Sequence, residues 1–281
     1  MAAGGLKCSM GLILCIQIGY SAASDPLLVD RVFDQSGIRL QIEQLPGHLL
    51  AGLGEETESS QPVPDGFHEA ARLAAAEAFE VQNLVARVRT GLGESLDDAD
   101  LRYVLAWLES EIGRRVTRLE AAANHPDRQH EIVQFAATLA SNPPPAKRVQ
   151  SVRALDQAAR ISESTMEATL GVQLAVATAI AASLPADQRS PVQMLAEMLD
   201  ASRPRLVPLL QSQVRLLLLF TYQSLSDTEL LAYLAFCQSP VGQRYNQALF
   251  QGLESAMIES AFRFGDVLTR ILRHGLAVRG T

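Results

Sequence analysis

Lysine is almost missing from this chain of 281 residues: Lys7 and Lys147 are the only two, and arginine carries the rest of the positive charge. The balance of 24 Lys and Arg against 31 Asp and Glu leaves a net charge of −7, which argues against a nucleic-acid binder, since that function needs a basic face to displace counterions. The arginine bias runs along the whole chain and reads as composition, not as a site. Aromatic residues make up only 5% of the sequence, and no long stretch alternates with period two, so the strand-rich classes are excluded. Catalytic signatures are missing as well. His48, His68, His125, His130 and His274 form no H-E-x-x-H and no i, i+4 pair, and no G-x-S-x-G, S-x-x-K or Cys/His arrangement occurs. No catalytic residue, metal ligand or cofactor is therefore expected. Gly91-Leu92-Gly93 lacks the third glycine and the preceding strand of a nucleotide loop, and reads as the C-terminal cap of a helix.

Cysteine is limited to Cys8, Cys15 and Cys237. The first two lie in a segment with the three-part layout of a secretory signal peptide. Lys7 precedes an apolar run from Met10 to Tyr20, and the small residues Ser21-Ala22-Ala23 place cleavage after Ala23. Residues 1–23 are expected to leave, making the mature protein secreted or periplasmic, with a charge of −8 once Lys7 is gone and no transmembrane segment. Cys237 then stands alone in an oxidising compartment and is expected to be buried and unpaired.

What is present is Ala, Leu, Glu, Gln and Arg in helical spacing, so the fold class is all-α. Helices are expected over Pro26–Leu45, from a cap at Asp65 to Gly91–Gly93, Asp127–Ala140, Ser162–Ser183, Pro191–Ala201, Leu206–Ser224 and Pro240–His274. Gly54–Pro64 reads as a surface loop, and Val214–Tyr222, apolar on every face, as a central core segment. Asn142-Pro143-Pro144-Pro145 cannot continue a helix and forms a spacer over 142–146 between a first half, 24–141, and a second, 147–281.

Those halves look like copies. Leu225–Tyr245 repeats Leu96–Val116 at an offset of 129 (225 − 96), with matches at Leu96/Leu225, Asp98/Asp227, Asp100/Glu229, Leu101/Leu230, Trp107/Phe236, Ser110/Ser239, Gly113/Gly242 and Arg115/Arg244. Upstream, Arg153–Ala159 echoes Arg31–Gly37, so a bundle of two duplicated helical halves is expected. The matched residues are caps and core. Ser226 with Glu229 forms a capping box stapled by Leu225 and Leu230; Asp97 and Asp100 take those roles in the first copy, where carboxylates at a helix start need no metal to explain them. Ser239-Pro240 and Ser110-Glu111 restart the chain as new helices. Glycine in the following turn, Gly113 or Gly242, costs about 1 kcal/mol against alanine and predicts a close helix crossing there. Trp107 and Phe236 are each expected to face the core of their own half.

The run E-L-x-x-x-L-x-F-x-x-S-P-x-G, Glu229 through Phe236, Ser239 and Pro240 to Gly242, resembles the signature of a family of bacterial secreted proteins known as a domain of unknown function. The first copy carries Glu111 in place of the proline, and Cys237 stands where that family commonly has tyrosine. The resemblance implies a helical envelope protein and brings no catalytic residues. Two functions are compatible with it: a non-catalytic interaction or assembly module, acting as a homodimer or on an envelope protein, or a carrier of a hydrophobic lipid or peptide in a cleft between the halves. An exposed apolar face on the last helix would favour the first, and an internal pocket lined by the Leu216–Phe220 segment the second.

Overall fold

In the computed structural model residues 24–44, 67–139, 141–183 and 191–279 are described, and among them there is no strand. The expectations for a signal peptide over 1–23, for the Gly54–Pro64 loop and for a cap at Asp65 fall outside them. The chain starts as α1, Pro26–Gln35, where the Asp25 carboxylate accepts a bond from Leu27 N–H and Pro26 occupies the first turn. One helix to Leu45 was expected. Instead Ser36 and Gly37 break it, Gly37 taking φ +73°, and a second helix, α2, runs over residues 38–44.

Next come α3, Phe67–Ala78, and α4, Val81–Ser95, again two helices where one was expected. Phe79 is buried at the break and Glu80 is extended, so the chain changes direction there. Gly91 and Gly93 are not a cap; both lie inside α4. The remaining elements are α5, Asp98–Leu108; α6, Glu111–Ala123; α7, Gln129–Leu139, after a single 3-10 turn; α8, Ala146–Ala159; α9, Ile161–Ser183; α10, Val192–Thr221; α11, Asp227–Gln238; and α12, Pro240–Arg279. The helix α10 replaces the two expected between Pro191 and Ser224. It continues through Pro204 and Pro208, which are both solvent-exposed, so the carbonyls they leave unpaired can turn to water. Of the segment expected to be surrounded, 218–222 is buried, whereas 215–217 is only half-buried.

The long α12 is the axis of the molecule, packing most extensively on α9, α4 and α3 and also touching α5, α8 and α11. Against α4 it comes close at Gly252. A Cβ there would lie 3.0 Å from Val88 Cα, and one on Gly91 would lie 3.2 Å from Gly252 Cα, so α4 and α12 meet backbone to backbone. Buried side chains from Val29 to Leu268 form one continuous cluster drawn from both halves. Among the described residues no helix is long and apolar enough to cross a membrane.

Two helix junctions repeat one geometry. Ser110 caps α6 by accepting from Gly113 N–H at 3.0 Å, while its hydroxyl donates to the Trp107 carbonyl at 2.6 Å. Ser239 accepts from Gly242 N–H at 3.0 Å and donates to the Phe236 carbonyl at 2.7 Å. In both, a Cβ on the glycine would lie 2.0 Å from that same carbonyl oxygen. The expected close approach is therefore made by the end of the preceding helix, not by a third helix passing over. It excludes alanine and not only larger side chains. Likewise α1 packs on α5 as α8 packs on α11, and a residue of positive φ follows each, Gly37 two positions after α1 and Arg160 directly after α8.

Gly242→Ala is therefore expected to destabilise by roughly 1–3 kcal/mol or more through overpacking, although alanine is the better helix former. Gly93 sits in α4 with its nearest neighbours at an ordinary 3.5 Å. There the alanine variant should be neutral or gain up to about 1 kcal/mol. Thermal melts of the two variants decide it, and a Gly242→Ala protein as stable as wild type would refute the carbonyl contact.

Candidate functional site

The junctions aim Trp107 and Phe236 at each other. The rings stack with centroids 4.0 Å apart and planes 11° from parallel, so the two meet each other, where the sequence suggested that each would face only the core of its own half. The charges cross in the same way. Arg244 makes a two-pronged bond to Asp100, from Nε at 2.8 Å, and Arg115 donates to Glu229 at 2.6 Å and to the Ser224 carbonyl at 2.8 Å. Each of the two ion pairs thus joins the first part of the chain to the second, Arg115 to Glu229 and Arg244 to Asp100. The Ser226–Glu229 capping box is formed, and the Ser226 N–H and hydroxyl, followed by Arg115, hold the Glu229 carboxyl below its ordinary range. Pro240 occupies the first turn of α12 as expected. These eight residues, Trp107, Ser110, Gly113, Glu229, Phe236, Ser239, Pro240 and Gly242, are joints; of them Trp107 and Phe236 also line a space between the helices.

That space is a cleft of about 340 Å³ where α5 and α6 face α10, α11 and α12. Its walls carry Trp107, Tyr222, Tyr233, Phe236 and Tyr245, with Leu217, Leu218, Leu249 and Leu253 completing the apolar surface. The aromatic side chains interlock: Trp107 stacks on Tyr233 at 5.4 Å, Tyr222 meets Tyr233 edge-on at 5.6 Å, and Phe236 meets Tyr245 at 6.1 Å. In a chain with one tryptophan and five tyrosines, that concentration marks the place. Clefts of about 430, 440 and 390 Å³ elsewhere hold no such aromatic cluster.

Among the described residues a single charged one enters this cleft, Glu120 of α6. Val116, Glu120 and Ala123 follow one another at spacings of four and three, which sets the acid on the helix face that should be apolar. Tyr222 and Tyr233 both donate to its Oε1, at 2.6 and 3.0 Å. Oε2 has no hydrogen-bond donor among the described residues. Glu120 lies deep among protein atoms, yet part of its surface stays free and borders the cleft. Burial pushes its pKa up, and the two tyrosine hydroxyls offset this only in part. Burial first, then the charge of Glu120, raises both tyrosines well beyond their ordinary value. Asn246 lines the same wall, with its buried Nδ2 facing the Cys237 thiol and having no oxygen acceptor among the described residues. Cys237 is buried and free, one position from Phe236, and burial pushes its thiol up to about 12.

Sequence reasoning found Trp107 and Phe236 but missed Glu120, Tyr222, Tyr233 and Tyr245. Two signals were available: an acid interrupting the apolar stripe of α6, and three tyrosines within Tyr222–Tyr245 of an aromatic-poor chain. Comparison of the chain with protein-family models, curated proteins and solved structures finds no match in any of the three.

The raised Glu120 pKa sets the sign of a stability effect. Between the ordinary carboxyl value and the raised one, the folded chain keeps a proton that the unfolded chain has released, so stability falls as pH rises through that window. Glu120→Gln stays neutral and should gain on wild type as pH rises from the carboxyl range toward neutrality. Denaturation curves across that interval check it, and a constant difference would remove the assignment. Cys237, held as a thiol, should react with a thiol dye at pH 8 only after unfolding; labelling of the native protein at the rate of free cysteine would contradict its burial.

Proposed function

We propose that this chain is a non-catalytic carrier, exported to the periplasm or beyond by residues 1–23, whose two duplicated halves hold a small, largely apolar molecule in the cleft between them. The observation that carries this reading is the gathering of Trp107, Tyr222, Tyr233, Phe236 and Tyr245 around one carboxyl in open space. A volume of about 340 Å³ lies at the lower end of the range for ligand pockets, roughly 300–1,000 Å³. Leu217 and Leu218 of α10, from the Leu216–Phe220 segment, form part of the wall. The mark of an interaction module was an open apolar face on the last helix. Along α12, Phe262 is the one large hydrophobic among the described residues that stands largely exposed. Duplication is the economical account of two junctions with the same bonds and of ion pairs exchanged between matched residues, and export accounts for a lone cysteine kept out of reach.

Thr165 of α9 faces the cleft, and phenylalanine there would fill it. Wild-type protein recovered from the envelope fraction should begin at Ser24 or Asp25 by intact mass, and under native conditions should carry a bound small molecule that Thr165→Phe lacks, with the melting temperature of the variant nearly unchanged. A wild-type chain that carries nothing, and whose Trp107 emission ignores n-octanol, would end the carrier reading.

A further inference from the structure

The charge inventory of the cleft narrows its occupant. Arginine is abundant in the chain, yet among the described residues neither arginine nor lysine reaches the lining, and Glu120 is the only formal charge there. A fatty acid, phosphate or other anionic headgroup would meet a carboxyl and no cation, and burying an unpaired charge is strongly unfavourable. The bonding at Glu120 points the same way. Tyrosine hydroxyls donate, and donation to an ionised oxygen is about twice as strong as to a neutral one. Two donors on Oε1 orient the group as a carboxylate and direct Oε2 to an incoming partner. The π-faces nearby add attraction for a cation wherever one comes within about 6 Å of a ring.

We propose that the ligand is a small amphiphilic amine whose ammonium group bonds to Glu120 Oε2 while its apolar body lies along Trp107, Phe236 and Leu253. The cleft volume suits a single compact chain or ring, not a two-chain lipid. This inference rests on the carrier reading, and the two can fail separately. In the empty protein the carboxyl, with its pKa raised by burial, is poorly compensated; an ammonium group supplies the missing countercharge.

Trp107, the only tryptophan, reports occupancy directly. Titrations of the mature chain with n-octylamine, n-octanol and octanoate, each below its micellar range, share one tail and differ in the head. Octylamine should bind at least about tenfold more tightly than octanol, an ion-pair difference of about 1.4 kcal/mol, and octanoate should bind more weakly than either. In Glu120→Gln the amine should fall to the level of the alcohol while the alcohol is unchanged. Glu120→Asp, which withdraws the carboxylate by one methylene, should give an intermediate preference and serves if the glutamine variant does not fold. If octanol or octanoate matches the amine on wild type, or if Glu120→Gln keeps the preference for the amine, the amine assignment is overturned and the carrier reading stands. If none of the three alters Trp107 emission, both fall.

Discussion

The carbonyl oxygens of Trp107 and Phe236 set the geometry on which the rest of this molecule depends. Each ends a helix, and each accepts both the N–H and the hydroxyl of a serine three residues on. Each also rests against a glycine in the first turn of the next helix, where a Cβ would lie 2.0 Å away. A helix normally leaves its last carbonyls unpaired. Here the serine satisfies one of them while capping the next helix, so one side chain closes one element and opens another. Only glycine lets the two helices come that close, which fixes their angle within narrow limits.

With that angle fixed, Trp107 and Phe236 project toward a common centre and stack at 4.0 Å. The stack contributes on the order of 0.5–1.5 kcal/mol beyond the area it buries. The ion pairs beside it act differently. Arg115 and Glu229 remain partly exposed, a setting in which a pair is worth about 0–1 kcal/mol; Asp100 is nearly buried and held from two sides by Arg244. The core holds the halves together, then, while the crossed charges choose the register in which they meet. A slip of one helical turn would leave Asp100 buried without its cation, which is the costlier error.

Much of this was legible in the residues. Ser226-x-x-Glu229, Ser239-Pro240 and Ser110 announced helix starts, and each cap is in place because the hydrogen-bond demand it answers is local. The glycines announced close contact, since their helical cost is large enough to need a reason, but the identity of the contacting group depended on the angle between neighbours. Breaks were less legible. Gly37 interrupts α1 by adopting a positive φ that glycine allows without requiring, and Pro204 and Pro208 fail to interrupt α10 because they face solvent. At the cleft, Trp107 and Phe236 could be named from the repeat, yet that they meet is a fact of packing between halves, which no single-helix pattern contains. Glu120 and Tyr233 come from two different helices and Tyr222 from the turn after a third, and they carry no shared spacing.

Glu120 is the place where local and global rules disagree. Its position on α6 calls for an apolar residue, and a leucine there would complete the stripe from Val116 to Ala123 at no electrostatic cost. The chain keeps instead a carboxyl whose burial opposes its ionisation and surrounds it with two tyrosines whose hydroxyls answer one oxygen only. Had the network served stability alone, a third donor on Oε2 would finish it, since a partly satisfied buried network is worse than an apolar core. Sequences agree with their folds at most positions and depart from them at working sites. Glu120 Oε2, which takes no donor among the described residues and faces the aromatic cleft, is the point at which this chain departs from its own helical pattern.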